Sequence, residues 1–129
     1  MSCLYDALVT LLAQDGHLIS SRSLRDKLAT AVEYGVLNGM PARTWVQWDT
    51  GKTVSAYTDQ MRACDAWGGA IEIALFVAEY GRSVVVRTLD NREVTFPALD
   101  PESAVFYLAW SGNHYTAVRL VRKKMVCLG

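Results

Sequence analysis

The hydrophobic period changes once along this 129-residue chain, and that change constrains its architecture more than any other feature. Up to Tyr80 the apolar residues recur at three- and four-residue spacing, and from Ser83 onward they alternate. The first part predicts a helix over 3–14, with Leu4, Leu8, Leu11 and Leu12 on one face and a stop at Asp15-Gly16. A second helix spans 21–34, with Ser20, Ser21 and Ser23 as candidate caps and Gly35 at its end. Pro41 opens a short third helix through residue 48, a fourth runs over 53–63, and a strongly apolar fifth over 70–80 closes at Gly81. Then come strands over 83–89 and 92–96 with Asp90-Asn91 as the turn, a loop bracketed by Pro97 and Pro101, and a hairpin of 104–110 with 114–121. Helices first and strands afterwards predict an α+β domain, helices packed on a mainly antiparallel sheet, occupying residues 1–129 as a single unit.

Composition narrows the function classes. Half of the chain is apolar, which is enough for a core without disulfides, and the formal charge is zero. No basic tract supports nucleic-acid binding; Arg119, Arg122, Lys123 and Lys124 read as a solvated strand end. Three cysteines, an odd number without metal-type spacing, point to neither a disulfide framework nor a metal site, and no cofactor is implied. No apolar stretch is long enough to span a bilayer, and no secretory leader is legible, so the expected setting is cytoplasmic and reducing, with no membrane partner.

Within that frame one pair of side chains carries chemistry. Cys3 stands in the first turn of the first helix, where free backbone N–H groups and the helix dipole favour an anion and hence a thiolate. Asp6, in the same turn, slightly opposes that charge. Of two histidines, His17 reads as a loop residue, whereas His114 enters the last predicted strand from the tight turn Ser111-Gly112-Asn113. A histidine on the mouth of a rigid strand suits a general base, and a thiol with an imidazole makes a hydrolytic site without a cofactor. Cys64 and Cys127 read as inert thiols.

Four ordered blocks together resemble the ovarian-tumour (OTU) family of cysteine proteases. Cys3-Leu4-Tyr5-Asp6-Ala7-Leu8 resembles the family's nucleophile helix. Leu24-Arg25 with Val32 and Tyr34 resembles its second block. Met61 followed by Trp67-Gly68-Gly69-Ala70-Ile71-Glu72-Ile73-Ala74-Leu75 is similar to its Trp-Gly-Gly-x-x-Glu block, and Asn113-His114-Tyr115 to its His-Tyr block. The resemblance implies hydrolysis of a peptide or isopeptide bond after a ubiquitin-type Gly-Gly tail. Cys3 would be the nucleophile and His114 the base, with ubiquitin or a ubiquitin-like protein and its conjugates as partner. It also implies a narrow slot for the tail, whose walls Trp67, Gly68, Trp110 and Tyr115 are candidates to supply. Compact length and a short leader look more like the viral branch, which implies a host-cytoplasmic setting and a viral polyprotein as a further substrate.

Two departures accompany the resemblance. The family carries an Asp-Gly-x segment before its cysteine, whereas Met1 and Ser2 precede Cys3. The position two after the histidine, commonly an Asp or Asn that orients the ring, is Thr116. Positions 114 and 116 face one side of a strand, so the Thr116 hydroxyl is one candidate orienter, Asn113 is another, and a bare dyad is the third arrangement. Two other readings stand beside the protease: a catalytically inactive ubiquitin-binding module of the same fold, and a papain-related amidase of small peptides.

Overall fold

The structure, a computed structural model, describes residues 3–63, 69–121 and 124–128, without the side chains of Cys3, Leu120, Val121 and Met125. Five helices come first: α1 (Cys3–Gln14), α2 (Ser21–Tyr34), α3 (Ala42–Thr50), α4 (Val54–Arg62) and α5 (Ala70–Tyr80). A two-stranded hairpin, β1 (Val36–Leu37) with β2 (Met40–Pro41), interrupts them, and the strands β3 (Ser83–Arg87), β4 (Glu93–Phe96), β5 (Val105–Trp110), β6 (Tyr115–Val121) and β7 (Lys124–Cys127) follow.

Local chemistry sets the ends. The Ser20 hydroxyl accepts the Ser23 N–H at 3.0 Å and caps α2, and Thr53 does the same for α4 through the Ala56 N–H. Gly81 closes α5 in the left-handed region at φ 66°, a conformation that costs a side-chain-bearing residue about 1 kcal/mol more. The period-two stretch then begins directly.

The five strands are ordered β4-β3-β5-β6-β7. Every pairing is antiparallel except β3 with β5, which run parallel with Val84 opposite Phe106 and Val86 opposite Leu108. The chain reaches that arrangement by folding β4 back on the outer edge of β3 and then crossing to its inner edge. Val84, Val86, Phe106, Leu108 and Ala117 alternate onto one face and join the buried Leu4, Leu8 and Leu12 of α1, Leu24 and Leu28 of α2, and Ile73 and Phe76 of α5 in one core.

Two elements were not foreseen. The β1–β2 hairpin turns at Asn38-Gly39, both at positive φ, and Trp45 Nε1 donates to the Leu37 carbonyl at 2.8 Å. The expected solvated end of the last strand instead leads into β7, which pairs with β6 from Val118–Cys127 to Val121–Lys124. Lys124 and Arg119 are exposed, while Arg122 and Lys123 lie outside the described residues.

Candidate active site

The path of α1 decides whether Cys3 and His114 meet. Helix α1 packs along β6. Just past its C-terminal end, the Asp15 carboxylate accepts a hydrogen bond from Arg82 Nε at 2.7 Å. Arg82 immediately precedes Ser83, which lies in register with Val105, so this end of α1 sits where β3 and β5 begin. The opposite end of α1 therefore points to where β5 finishes and β6 starts, at Trp110 and Tyr115. The lengths agree: from Asp15 back to Cys3 is roughly 18 Å of helix, and Val105 to Trp110 is roughly 17 Å of strand. Cys3 opens α1 at the end opposite to Asp15.

That turn is tightly built. The Ser111 N–H donates to the His114 carbonyl at 3.0 Å, closing a two-residue loop of Gly112 and Asn113. Gly112 has φ 97°, the glycine-first arrangement that suits the twist of a hairpin. His114 is exposed and precedes β6, which begins at Tyr115. Thr116 is half-buried in β6, on the strand side it shares with Val118. Val118, Val105 and Tyr107 line a groove whose other wall includes Leu11 and Gln14 of α1. Asn113 is engaged inside the turn, its side-chain oxygen accepting from Ser111 Oγ at 3.1 Å. Trp110 and Tyr115 pair directly across the hairpin with ring centroids 4.6 Å apart, half-buried against the core. They brace the base of the His114 turn. Trp67, Gly68 and Cys64 lie outside the described residues. Cys127 is exposed on the edge strand β7.

A buried polar network that sequence reasoning did not single out surrounds the first turn of α1. The Arg25 guanidinium lies 4.2 Å from the centre of the Tyr5 ring, and its Nη1 donates to the Met61 carbonyl at 3.0 Å. The Tyr57 hydroxyl lies 2.9 Å from both carboxylate oxygens of Glu72 and donates to that group. Glu72, three residues after the Gly69 cap of α5, also takes hydrogen bonds from the backbone amides of Gly69 and itself, the backward half of a capping box. Burial pushes the Glu72 carboxyl up, and those hydrogen bonds pull it partly back. Burial first, and the Glu72 charge second, push the Tyr57 and Tyr5 hydroxyls far above their ordinary range, with Arg25 opposing at Tyr5. Arg25 thus holds Met61 and Glu72 holds Gly69. The Leu-Arg and Gly-Gly-x-x-Glu patterns were visible in the sequence, but only the fold reveals that they converge on Tyr5.

Among the described residues no cluster of His, Cys, Asp and Glu is arranged to hold a metal ion. The titratable side chain described at the turn is the exposed His114 imidazole.

No protein-family model matches this chain, and no curated protein matches it in sequence. Solved structures do. An OTU domain in complex with ubiquitin superposes with a TM-score of 0.70 at 20% identity, over 90% of this chain and 62% of the other, so this chain spans less than two thirds of that neighbour's length. An OTU deubiquitinase from Wolbachia pipientis wMel bound to ubiquitin gives 0.66 at 16% identity, over 98% of this chain and 90% of its own. The viral OTU domain protease from Dera Ghazi Khan virus gives 0.70 at 16%, covering 90% and 72%. The α+β architecture is that of the OTU domain.

Proposed function

We propose that this chain is a thiol-dependent deubiquitinase, hydrolysing the peptide or isopeptide bond that follows a ubiquitin-type Gly-Gly tail. The observation that supports the reading is the direction of α1 within an OTU-type fold: its C-terminal end lies beside the start of β3, and on this reading its Cys3 end faces the His114 turn. His114 takes the thiol proton, the thiolate attacks the glycine carbonyl, and the imidazolium returns the proton to the departing amine. Water then cleaves the thioester with His114 as base. The helix field favours the thiolate, and backbone N–H groups at the start of α1, Cys3's own included, are aimed where an oxyanion develops. The fold neighbours bound to ubiquitin support ubiquitin as the partner. Cleavage of a viral polyprotein in host cytoplasm extends the same chemistry and rests on the sequence resemblance alone.

A ubiquitin probe with a C-terminal electrophile tests the proposal. Covalent labelling of the wild type, lost in Cys3→Ala, is expected. Tight binding of ubiquitin without labelling would establish the non-catalytic module instead.

A further inference from the structure

The exposed Leu89 bears on this site. It lies in the β3–β4 connection, and because Arg87 is in parallel register with Ala109, that connection emerges at the same end of the sheet as the His114 turn. The two turns touch: a Cβ placed on Gly112 would come within 3.2 Å of Leu89 Cδ1. Leu89 is nonetheless 74% exposed. Its turn is held firmly, with the Thr88 N–H donating to the Arg92 carbonyl at 2.9 Å and the Asn91 N–H to the Thr88 carbonyl at 3.1 Å. The neighbouring acid is already occupied, since Asp90 pairs with Arg92 at 3.1 Å and takes the Thr88 hydroxyl. A rigid turn therefore holds an uncharged, branched side chain over a glycine two residues from His114.

We propose that Leu89 is a specificity-determining contact for the leaving group, packing against the methylene stem of the lysine whose ε-nitrogen is released. This rests on the deubiquitinase reading above. A histidine that protonates the departing amine faces that amine, so a side chain leaning on the His114 turn flanks the leaving side of the scissile bond. A lysine joined through its ε-nitrogen has lost its charge. What remains is four methylenes ending in a neutral amide, and that stem is matched by an apolar wall better than by a carboxylate. Gly112, lacking a side chain, lets Leu89 lie close on the turn, where even one Cβ would crowd Leu89 Cδ1 at 3.2 Å, and the outward face of Leu89 is what is left for the stem.

The experiment compares two substrates with the same ubiquitin acyl part, one joined to the ε-nitrogen of a lysine peptide and the other to the α-nitrogen of a glycine peptide. The ratio of their kcat/KM values is read in wild type and in Leu89→Ala. Loss of the apolar contact is expected to lower the ratio, lysine over glycine, by roughly three- to tenfold, and Leu89→Met to restore most of it. A uniform change on both substrates, or none on either, overturns the inference while leaving the deubiquitinase reading intact. Absence of Cys3-dependent turnover on both substrates in the wild type overturns the two together.

Discussion

Arg82 Nε donates to the Asp15 carboxylate at 2.7 Å, joining the end of the first helix to the start of the first long strand. This contact crosses 67 residues of chain and marks the C-terminal end of α1 as lying beside the start of β3. Arg82 also donates to the Tyr80 carbonyl at 2.8 Å and lies 5.7 Å from the centre of the Phe106 ring. The ion pair itself is partly exposed and screened by solvent. Asp15→Asn is therefore expected to cost only about 0.3–1 kcal/mol, and less in high salt. Urea denaturation at low and high ionic strength checks this; a loss of several kcal/mol would mean the contact is a buried one.

On the deubiquitinase reading, Thr116 falls where the family pattern carries an Asp or Asn, and a hydroxyl cannot stabilise an imidazolium by charge as a carboxylate would. Thr116→Asp is expected to raise kcat/KM on a ubiquitin-tail substrate several-fold and to move the acidic limb of the pH–rate profile upward, because a carboxylate beside His114 favours its charged form. Thr116→Val is expected to lower activity less than tenfold. If neither change moves the profile, Thr116 does not face the ring, and Asn113 or a bare dyad remains.

Much of the fold was legible because the chain's periods are long and unmixed. Leu4, Leu8, Leu11 and Leu12 mark α1 as clearly as Val84 to Val86 mark β3, while Ser20 and Thr53 stand where helices start and Gly81 where one stops. The β1–β2 hairpin carried its signal in Asn38-Gly39, but strands of two residues give alternation nothing to repeat over. Strand β7 was hidden by Lys123-Lys124, which made its approach look solvated. The parallel pairing of β3 with β5 was out of reach for another reason: periodicity reports which face a residue takes, never which neighbour lies beside it.

The same limit applies to the candidate site. Cys3 and His114 were found as residue types in suitable settings, whereas any approach between them depends on the direction in which α1 packs on the sheet, which residue periodicity does not report. Glu72 was visible in a motif, yet its role as cap and acceptor needs Tyr57 from another helix. Leu89 carried no sequence signal, because an exposed leucine in a turn is ordinary until its neighbour is known.

The Tyr57–Glu72 contact predicts a pH signature. Glu72 is 5% exposed and its carboxyl is raised, mainly by burial, from an ordinary value of 4.5. Below that value the group is neutral in folded and unfolded chains alike. As the pH climbs, the unfolded carboxyl ionises freely while the folded one resists, so stability is lost through the raised value. Glu72→Gln removes this titration. The wild-type stability minus that of Glu72→Gln should therefore fall as the pH rises above about 4.5, measured by urea denaturation at several pH values. Tyr57→Phe withdraws a donor from a buried carboxylate and is expected to cost about 1–3 kcal/mol near neutrality, with a smaller loss in acid. A Glu72 difference that grows with pH would show that hydrogen bonding outweighs burial at this site.

Tyr5 and Tyr57 give the alkaline counterpart. Both hydroxyls are raised from an ordinary value of 10.0, first by burial and then by the Glu72 charge. Their contribution is fully present below that value, where the tyrosine is neutral in both states. It is lost as the pH rises further, because the unfolded hydroxyl ionises and the folded one does not. The Tyr5→Phe/Tyr57→Phe pair should therefore absorb like the wild type in the tyrosinate band at pH about 11 while both remain folded. On unfolding in guanidinium at the same pH, the wild type should gain two tyrosinates that the variant lacks. A difference already present in the folded proteins would mean that these hydroxyls reach solvent, and that the first turn of α1 is not sealed against α2, α4 and α5 by the network around Tyr5.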